Sequence, residues 1–439
     1  MSDQLPPEFP SSELDANADE QACAREALQA ELRNQEQAAI QAELQEELQV
    51  EMRAEHQQEL QAEPQAEFDN DIIPYSLRSD TEIALASVDS FADLAAPFRS
   101  VTNATELAAV LNAALRLDLA ENPKHKAKPI SYKLLNYYAY HKGEKRYRTF
   151  AIPKKTPGET RAIKAPDYGL LRLQRLLLRC LTAAFTTCDD AAHGFVPGRS
   201  ILTNAQPHAG RRFVLNLDLK DFFPSTSVQR VMAVLQLPPF ALAKPVAHLV
   251  ASLCCDQGSL PQGAPTSPLL TNAVCQRLDR RLRQLARQHR CTYTRYADDL
   301  TFSSNRPAFR EQFHQELNAI LTAEGYAQNE KKQRLQTTQQ RQEVTGVVVN
   351  ERPNVPREYV RQIRAMLHNW KTKGYEAASA TLRQYYSSGK AYARHKGKVP
   401  KLEQVIAGKI AYLGMLRGDS NELVKSFLQL FNELSKDNE

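Results

Sequence analysis

From residue 105 onward, apolar positions recur at helix and strand periods. Thr105–Leu119 and the Leu-rich stretch Gly169–Phe185 predict helices, the second with Arg172, Arg175 and Arg179 between its leucines. Tyr147–Ile152 and Thr160–Ile163 predict two strands around a basic tip, Lys154 to Glu159. Arg212–Leu219 predicts another strand. Leu269–Arg287 predicts a helix with Leu278, Leu282 and Leu285 on one face. Thr292–Tyr296 and Leu300–Ser303 alternate like strands around a tight turn. Phe313, Leu317, Ile320 and Leu321 mark a helix face closed by Gly325. Pro356 opens a last helical region in which Val360, Ile363, Leu367 and Trp370 face a core. Strands and helices mix without regular βαβ alternation, which predicts an α+β fold.

The N-terminal part has another texture. Residues 21–67 are low-complexity Gln, Glu and Ala, with apolar residues at steps of four. Four exceeds 3.6, so the stripe drifts around a helix and holds no coiled-coil seam. The expected organisation is an acidic extension over 1–75, a linker over 76–104, a body over 105–350 and a C-terminal region over 351–439. The extension reads as a solvated, partly helical segment, or as a docking helix.

Charge sharpens the contrast. Residues 1–80 hold 20 Asp/Glu against 4 Arg, whereas the remainder carries a net charge of +21. A strongly basic body favours a polyanionic partner. No apolar run is long enough to span a membrane. The first residues lack the pattern of a signal peptide, and the 7 Cys form no CxxC pair. Those features predict a cytoplasmic protein.

The candidate chemistry starts at Tyr296-Ala-Asp298-Asp299. Two adjacent carboxylates at a tight turn are unfavourable without a cation. Asp218 ends the apolar strand Val214-Leu-Asn-Leu-Asp218 and supplies a third. Three carboxylates on neighbouring strand ends can hold two Mg²⁺ ions about 4 Å apart for in-line phosphoryl transfer. An Asp-Asp turn alone is more often a solvated loop. Here it accompanies Pro261-Gln262-Gly263-Ala264-Pro265-Thr266-Ser267-Pro268, where Gly263 permits close backbone approach to a ligand and Gln262 can bond a base or sugar edge. Phe223, five residues after Asp218, can lie under a nucleotide sugar.

These three segments, Asp218-Leu-Lys-Asp-Phe-Phe, Pro261-Gln-Gly-Ala-Pro-Thr-Ser-Pro and Tyr296-Ala-Asp-Asp, resemble motifs A, B and C of reverse transcriptases in order and spacing. The resemblance covers about residues 125–350 closely. Asn204-Ala-Gln-Pro-His208 and Val344-Thr345-Gly346 further resemble the NAxxH and VTG signatures of bacterial retron reverse transcriptases. The resemblance implies a right-hand polymerase with fingers, palm and helical thumb. It implies catalytic Asp218, Asp298 and Asp299, with the Leu219 backbone joining them around two Mg²⁺. Nucleotide contacts are implied at Lys154, Arg161, Asp221, Phe222, Phe223, Gln262, Gly263 and a motif D lysine. Phe223 would be the steric gate against ribonucleotides, and Lys332 the motif D lysine, although Lys331 is adjacent. A solvated turn lysine is the alternative at Lys154.

The family's partner is its own structured non-coding RNA. That implies RNA contacts at Asn204, His208, Val344, Thr345 and Gly346, and on the thumb at Arg361, Arg364, Arg394, Lys396 and Lys398. A core or capping role is the alternative for His208, and a plain apolar strand for Val344–Val349. The implied reaction extends a guanosine 2′-hydroxyl with dNTPs into branched RNA–DNA (msDNA), in anti-phage defence alongside an effector protein. The alternatives are a group II intron-like or other bacterial reverse transcriptase, and an RNA-binding module of the same fold without catalysis.

Overall fold

The computed structural model describes residues 85, 88–121, 127–153, 160–387 and 399–436. The acidic extension, part of the linker, Lys154, Arg394, Lys396 and Lys398 lie outside the described residues. The chain divides into two compact units, one ending at Arg352 and one starting at Pro353.

In chain order the first unit contains α1 (Ala104–Glu121), β1 (Tyr147–Pro153), β2 (Thr160–Pro166), α2 (Tyr168–Ala184), α3 (Ile201–Ala205) and β3 (Phe213–Asp218). It continues through α4 (Val228–Gln236), α5 (Lys244–Cys254), α6 (Ser267–Gln288), β4 (Thr292–Tyr296), β5 (Asp299–Ser304) and α7 (Glu311–Ala323). It ends with β6 (Arg334–Thr337), β7 (Glu343–Val344) and β8 (Val347–Val348). β1 and β2 pair antiparallel as a separate ribbon, and the main sheet has the antiparallel order β4-β5-β3-β6.

Two apolar clusters hold this unit. One joins α1, α2, α4 and α5 through residues such as Leu111, Leu173, Leu177, Val231 and Leu253. α2 begins where the Asp167 carboxylate accepts from Leu170 N at 2.8 Å, an N-cap that satisfies a free amide. The second cluster packs α6 and α7 on the sheet through Leu215, Leu217, Leu278, Leu282, Leu285, Phe302, Phe313 and Leu317. The alternation along β3 turns Leu215 and Leu217 into that core.

Val344–Val349 differs from the expected single strand. Thr345 and Gly346 both have positive φ, 48° and 81°, which makes a type I′ turn and folds the segment into the β7–β8 hairpin.

The second unit is helical: α8 (Arg357–Lys373), α9 (Tyr375–Ser387), α10 (Leu402–Arg417) and α11 (Glu422–Lys436). On α8 the buried residues are Tyr359, Ile363, Leu367 and Trp370. Tyr359 takes the core position expected of Val360, because its ring is capped by the Lys409 ammonium at 4.5 Å and its hydroxyl donates to the Lys409 carbonyl at 3.3 Å. The Trp370 ring meets Tyr375 at 5.4 Å and Phe431 at 6.0 Å.

Candidate active site

Antiparallel pairing of β3 with β5 sets Asp218 directly opposite Asp299. Tyr296 pairs with Asp299 across the β4–β5 hairpin, leaving Ala297 and Asp298 as its two-residue turn. Leu219 N donates to the Asp298 carbonyl at 2.9 Å, which ties the turn to the end of β3. Three carboxylates are thereby gathered at adjoining strand ends.

Their electrostatics reflect this crowding. Asp299 is open to water on one side, but the protein around it, then the Asp298 and Asp218 charges, push its pKa up to about 7. Burial and the Asp218 charge also raise that of Asp298, while Lys332 and Arg161 act in the opposite sense. Arg161, near the start of β2, therefore makes itself felt in the carboxylate cluster. Lys332 Nζ donates to Asp218 Oδ1 at 2.8 Å, and Asn329 Nδ2 donates to Asp218 Oδ2 at 3.2 Å. Of the two adjacent lysines, Lys332 is the one bonded to Asp218. Among the described residues no three His, Cys, Asp or Glu side chains stand ready as a metal site. The Lys332 ammonium sits on Asp218. The donor chemistry nevertheless suits a hard divalent cation: oxygen donors only, clustered against their own repulsion.

The turn rests on a buried frame that sequence reasoning missed. Arg295 is fully buried, and its guanidinium grips Asp279 of α6 through Nε and Nη2 at 2.8 and 2.7 Å. Its Nη1 donates to Asn272 Oδ1 at 3.0 Å and to the Ala297 carbonyl at 3.2 Å. Asn272 Nδ2 in turn donates to the Gly194 carbonyl at 2.9 Å. A Cβ on Gly194 would lie 2.4 Å from Ala297 N, so only glycine lets this loop pass against the carboxylate turn. An Arg beside a Tyr-Ala-Asp-Asp segment, with Asp and Asn seven apart on one helix, was the available signal.

Several expected contacts are placed differently. A Cβ on Gly263 would meet the Lys164 carbonyl at 2.7 Å, so the close approach it permits is that of the protein's own β2. The Gln262 carbonyl accepts from Lys164 N at 2.9 Å, while its side chain remains half-buried. Phe222 is a core ring, buried against Tyr326 at 5.8 Å, which removes it from the expected nucleotide surface. The Leu219 side chain is buried too, leaving its backbone as the available donor. Asp221 is exposed and Phe223 half-buried.

The expected RNA contacts at Asn204, His208 and Val344 also need correction, because all three are fully buried. His208 bonds Ser303 Oγ at 2.7 Å through Nδ1 and Thr294 Oγ1 at 2.8 Å through Nε2. Burial lowers its pKa to about 3, so the ring is neutral. Asn204 Nδ2 donates to Thr345 Oγ1 at 3.3 Å, so the two retron-like signatures meet each other. Thr345 is half-buried and Gly346 exposed at the hairpin tip, and Arg361 and Arg364 are exposed on α8.

A family model described as reverse transcriptase (RNA-dependent DNA polymerase) matches residues 152–349. Retron Mx65 reverse transcriptase of Myxococcus xanthus is 43% identical over 260 residues, covering 54% of this chain and 60% of that protein. Retron Mx162 reverse transcriptase of the same organism is 39% identical, covering 59% of this chain and 60% of its own length. Retron Ec86 reverse transcriptase of Escherichia coli is 35% identical over 246 residues, covering 56% of this chain and 76% of that protein. The chain thus spans 60% of the length of the two Myxococcus relatives. Among solved structures, a telomerase from Candida albicans aligns over 74% of this chain and 68% of its own, at 11% identity and a TM-score of 0.37.

Proposed function

The chain belongs to the bacterial retron reverse transcriptases, and on that premise we propose that it is an RNA-directed DNA polymerase acting on its own structured non-coding RNA. One observation carries the reading: Asp218, Asp298 and Asp299 converge on adjoining strand ends despite their mutual repulsion.

In this reading Asp218, Asp298, Asp299 and the Leu219 carbonyl hold two Mg²⁺. Bound there, the ions supply the positive charge that acidifies an attacking hydroxyl and stabilises a leaving pyrophosphate. The chain's own groups do the rest. Arg161, with Lys154, grips the triphosphate, and a guanidinium can do so bidentately. Phe223 excludes a ribose 2′-hydroxyl, and Gln262 contacts the nascent pair. Asp221 and Gly263, both exposed, also contact the nucleotide. Lys332 leaves Asp218 and donates a proton to the pyrophosphate as it departs. The primer is a guanosine 2′-hydroxyl of the RNA, and the product is branched RNA–DNA.

In the polymerase division of labour, the β1–β2 ribbon and the helices around it are fingers, the main sheet is palm and the second unit is thumb. Thr345, Gly346, Arg361, Arg364, Arg394, Lys396 and Lys398 contact RNA. The setting is anti-phage defence with an effector protein docked on residues 1–75. Deletion of residues 1–70 then abolishes effector assembly and phage resistance; intact assembly and resistance would remove that part.

The test uses the full chain, a primed RNA template, dNTPs and Mg²⁺. Primer extension that disappears in the Asp298→Ala/Asp299→Ala variant supports the polymerase. RNA binding without extension in both proteins would show a binding module instead.

A further inference from the structure

Phe195 combines two unfavourable features. It is 52% exposed, and its φ is +60°, a left-handed conformation that bulky L residues rarely adopt. Among the described residues no other large exposed hydrophobic has positive φ. An apolar ring in water on a strained backbone persists only where its surroundings impose it.

The surroundings do so on both sides. Before it, the Gly194 carbonyl accepts from Asn272, and His193 N donates to the Arg295 carbonyl at 2.7 Å. After it, Arg199 Nη1 donates to the Asp189 carbonyl at 2.6 Å, clamping the loop across its base. The frame that fixes Phe195 is therefore the same one that fixes the carboxylate turn.

The ring so held stands 6.2 Å from that of Phe223, tilted by 44°. Phe223 also meets the buried Phe222 ring at 5.5 Å. Phe223 thus neighbours both a core ring and a solvent-exposed ring. We propose that Phe195 is a positioning residue for sugar selection: it holds Phe223 from the solvent side, so that the gate cannot swing away and admit a ribonucleotide. The inference deepens the polymerase reading and rests on it, and on Phe223 as the gate. Without Phe195 the Phe223 ring has a free flank and the room to turn.

The test measures single-nucleotide incorporation of dNTP and of rNTP by the full chain on a primed RNA template. Compared are wild type, Phe195→Ala, Phe195→Tyr, Phe223→Ala and the Phe195→Ala/Phe223→Ala double variant. Phe195→Ala is expected to lose about 3- to 10-fold of the discrimination between dNTP and rNTP, the size of one aromatic contact. Phe195→Tyr keeps the ring and restores discrimination. The double variant loses no more than Phe223→Ala alone, because Phe195 acts through that ring. Should Phe195→Ala melt early, Phe195→Leu replaces it and is expected to lose discrimination in the same direction. Unchanged discrimination in the folded variant overturns the inference. So does a loss that adds in full to that of Phe223→Ala, which would mean direct contact with substrate. A wild type that incorporates no dNTP sinks the polymerase reading, and an unaltered Phe223→Ala sinks the gate; each overturns the inference through its own distinct readout.

Discussion

Asp218 and Asp299 form one cross-strand pair of β3 and β5, two carboxylates set opposite each other where like charges destabilise a sheet. Asp299→Asn removes that repulsion. The pKa of Asp299 is raised in the folded chain from 3.8 to about 7, so its charge opposes folding increasingly as pH rises through that interval. The variant should melt about 2–4 °C above wild type at pH 8 without added metal, little differently at pH 4, and should not extend a primer. Differential scanning calorimetry at the two pH values checks the sign.

The same cluster predicts a response to Mg²⁺. Millimolar Mg²⁺ should raise the melting temperature of wild type more at pH 8 than at pH 6, since protons compete with the ion for Asp299. The Asp298→Ala/Asp299→Ala variant should lose the response. Equal shifts in both proteins would place the ion elsewhere.

Lys332 is bonded to Asp218. Lys332→Ala should lower the extension rate about 100-fold, the usual scale of a general acid. Lys331→Ala should change the rate less than threefold by the surface-charge scale. Single-turnover kinetics separates the two.

His208 is expected to matter to stability. His208→Ala leaves the buried Ser303 hydroxyl without this partner and opens a cavity, costing about 2–4 kcal/mol in urea denaturation. RNA affinity of the folded variant should stay near wild type. The pKa of His208 falls from 6.5 to about 3 on folding, so the contribution of its neutral form to stability is fully present above about pH 6.5 and is lost progressively as pH falls toward 3.

Gly194→Ala forces a Cβ to within 2.4 Å of a backbone nitrogen in the carboxylate turn. Neither backbone can yield cheaply, so the turn must move. Extension should fall at least about 100-fold, the scale of a misplacement near 1 Å, while RNA binding persists. Primer extension and filter binding on the same preparation give both readouts.

Much of the first unit was legible in the sequence because its elements are locally encoded. Turn residues and apolar periods placed β1, β2, β3, β4, β5 and the long helix α6 to within a few residues. The carboxylates were legible because two short motifs carry them, Asp218 in one and Asp298 and Asp299 in the other. The frame beneath was not. Arg295 sits on a strand, where a charged residue reads as solvent-facing, and its partners Asp279 and Asn272 lie 16 and 23 residues away. Its burial follows only from the tertiary packing of α6 on the sheet. His208 and Asn204 misled in the opposite way, since polar residues in a signature suggest a ligand when a buried hydrogen-bonding role fits equally. The expected strand over Val344–Val349 failed because apolar content concealed the turn chemistry of Thr345-Gly346.

The central claim is templated DNA synthesis on a self-encoded RNA. Its most direct measurement is to express the gene with its native flanking DNA and sequence the nucleic acid that co-purifies with the protein. The account predicts a short DNA of single sequence, joined to RNA through a 2′ branch, and absent from the Asp298→Ala/Asp299→Ala variant. DNA of mixed sequence, or RNA alone in both preparations, would contradict it.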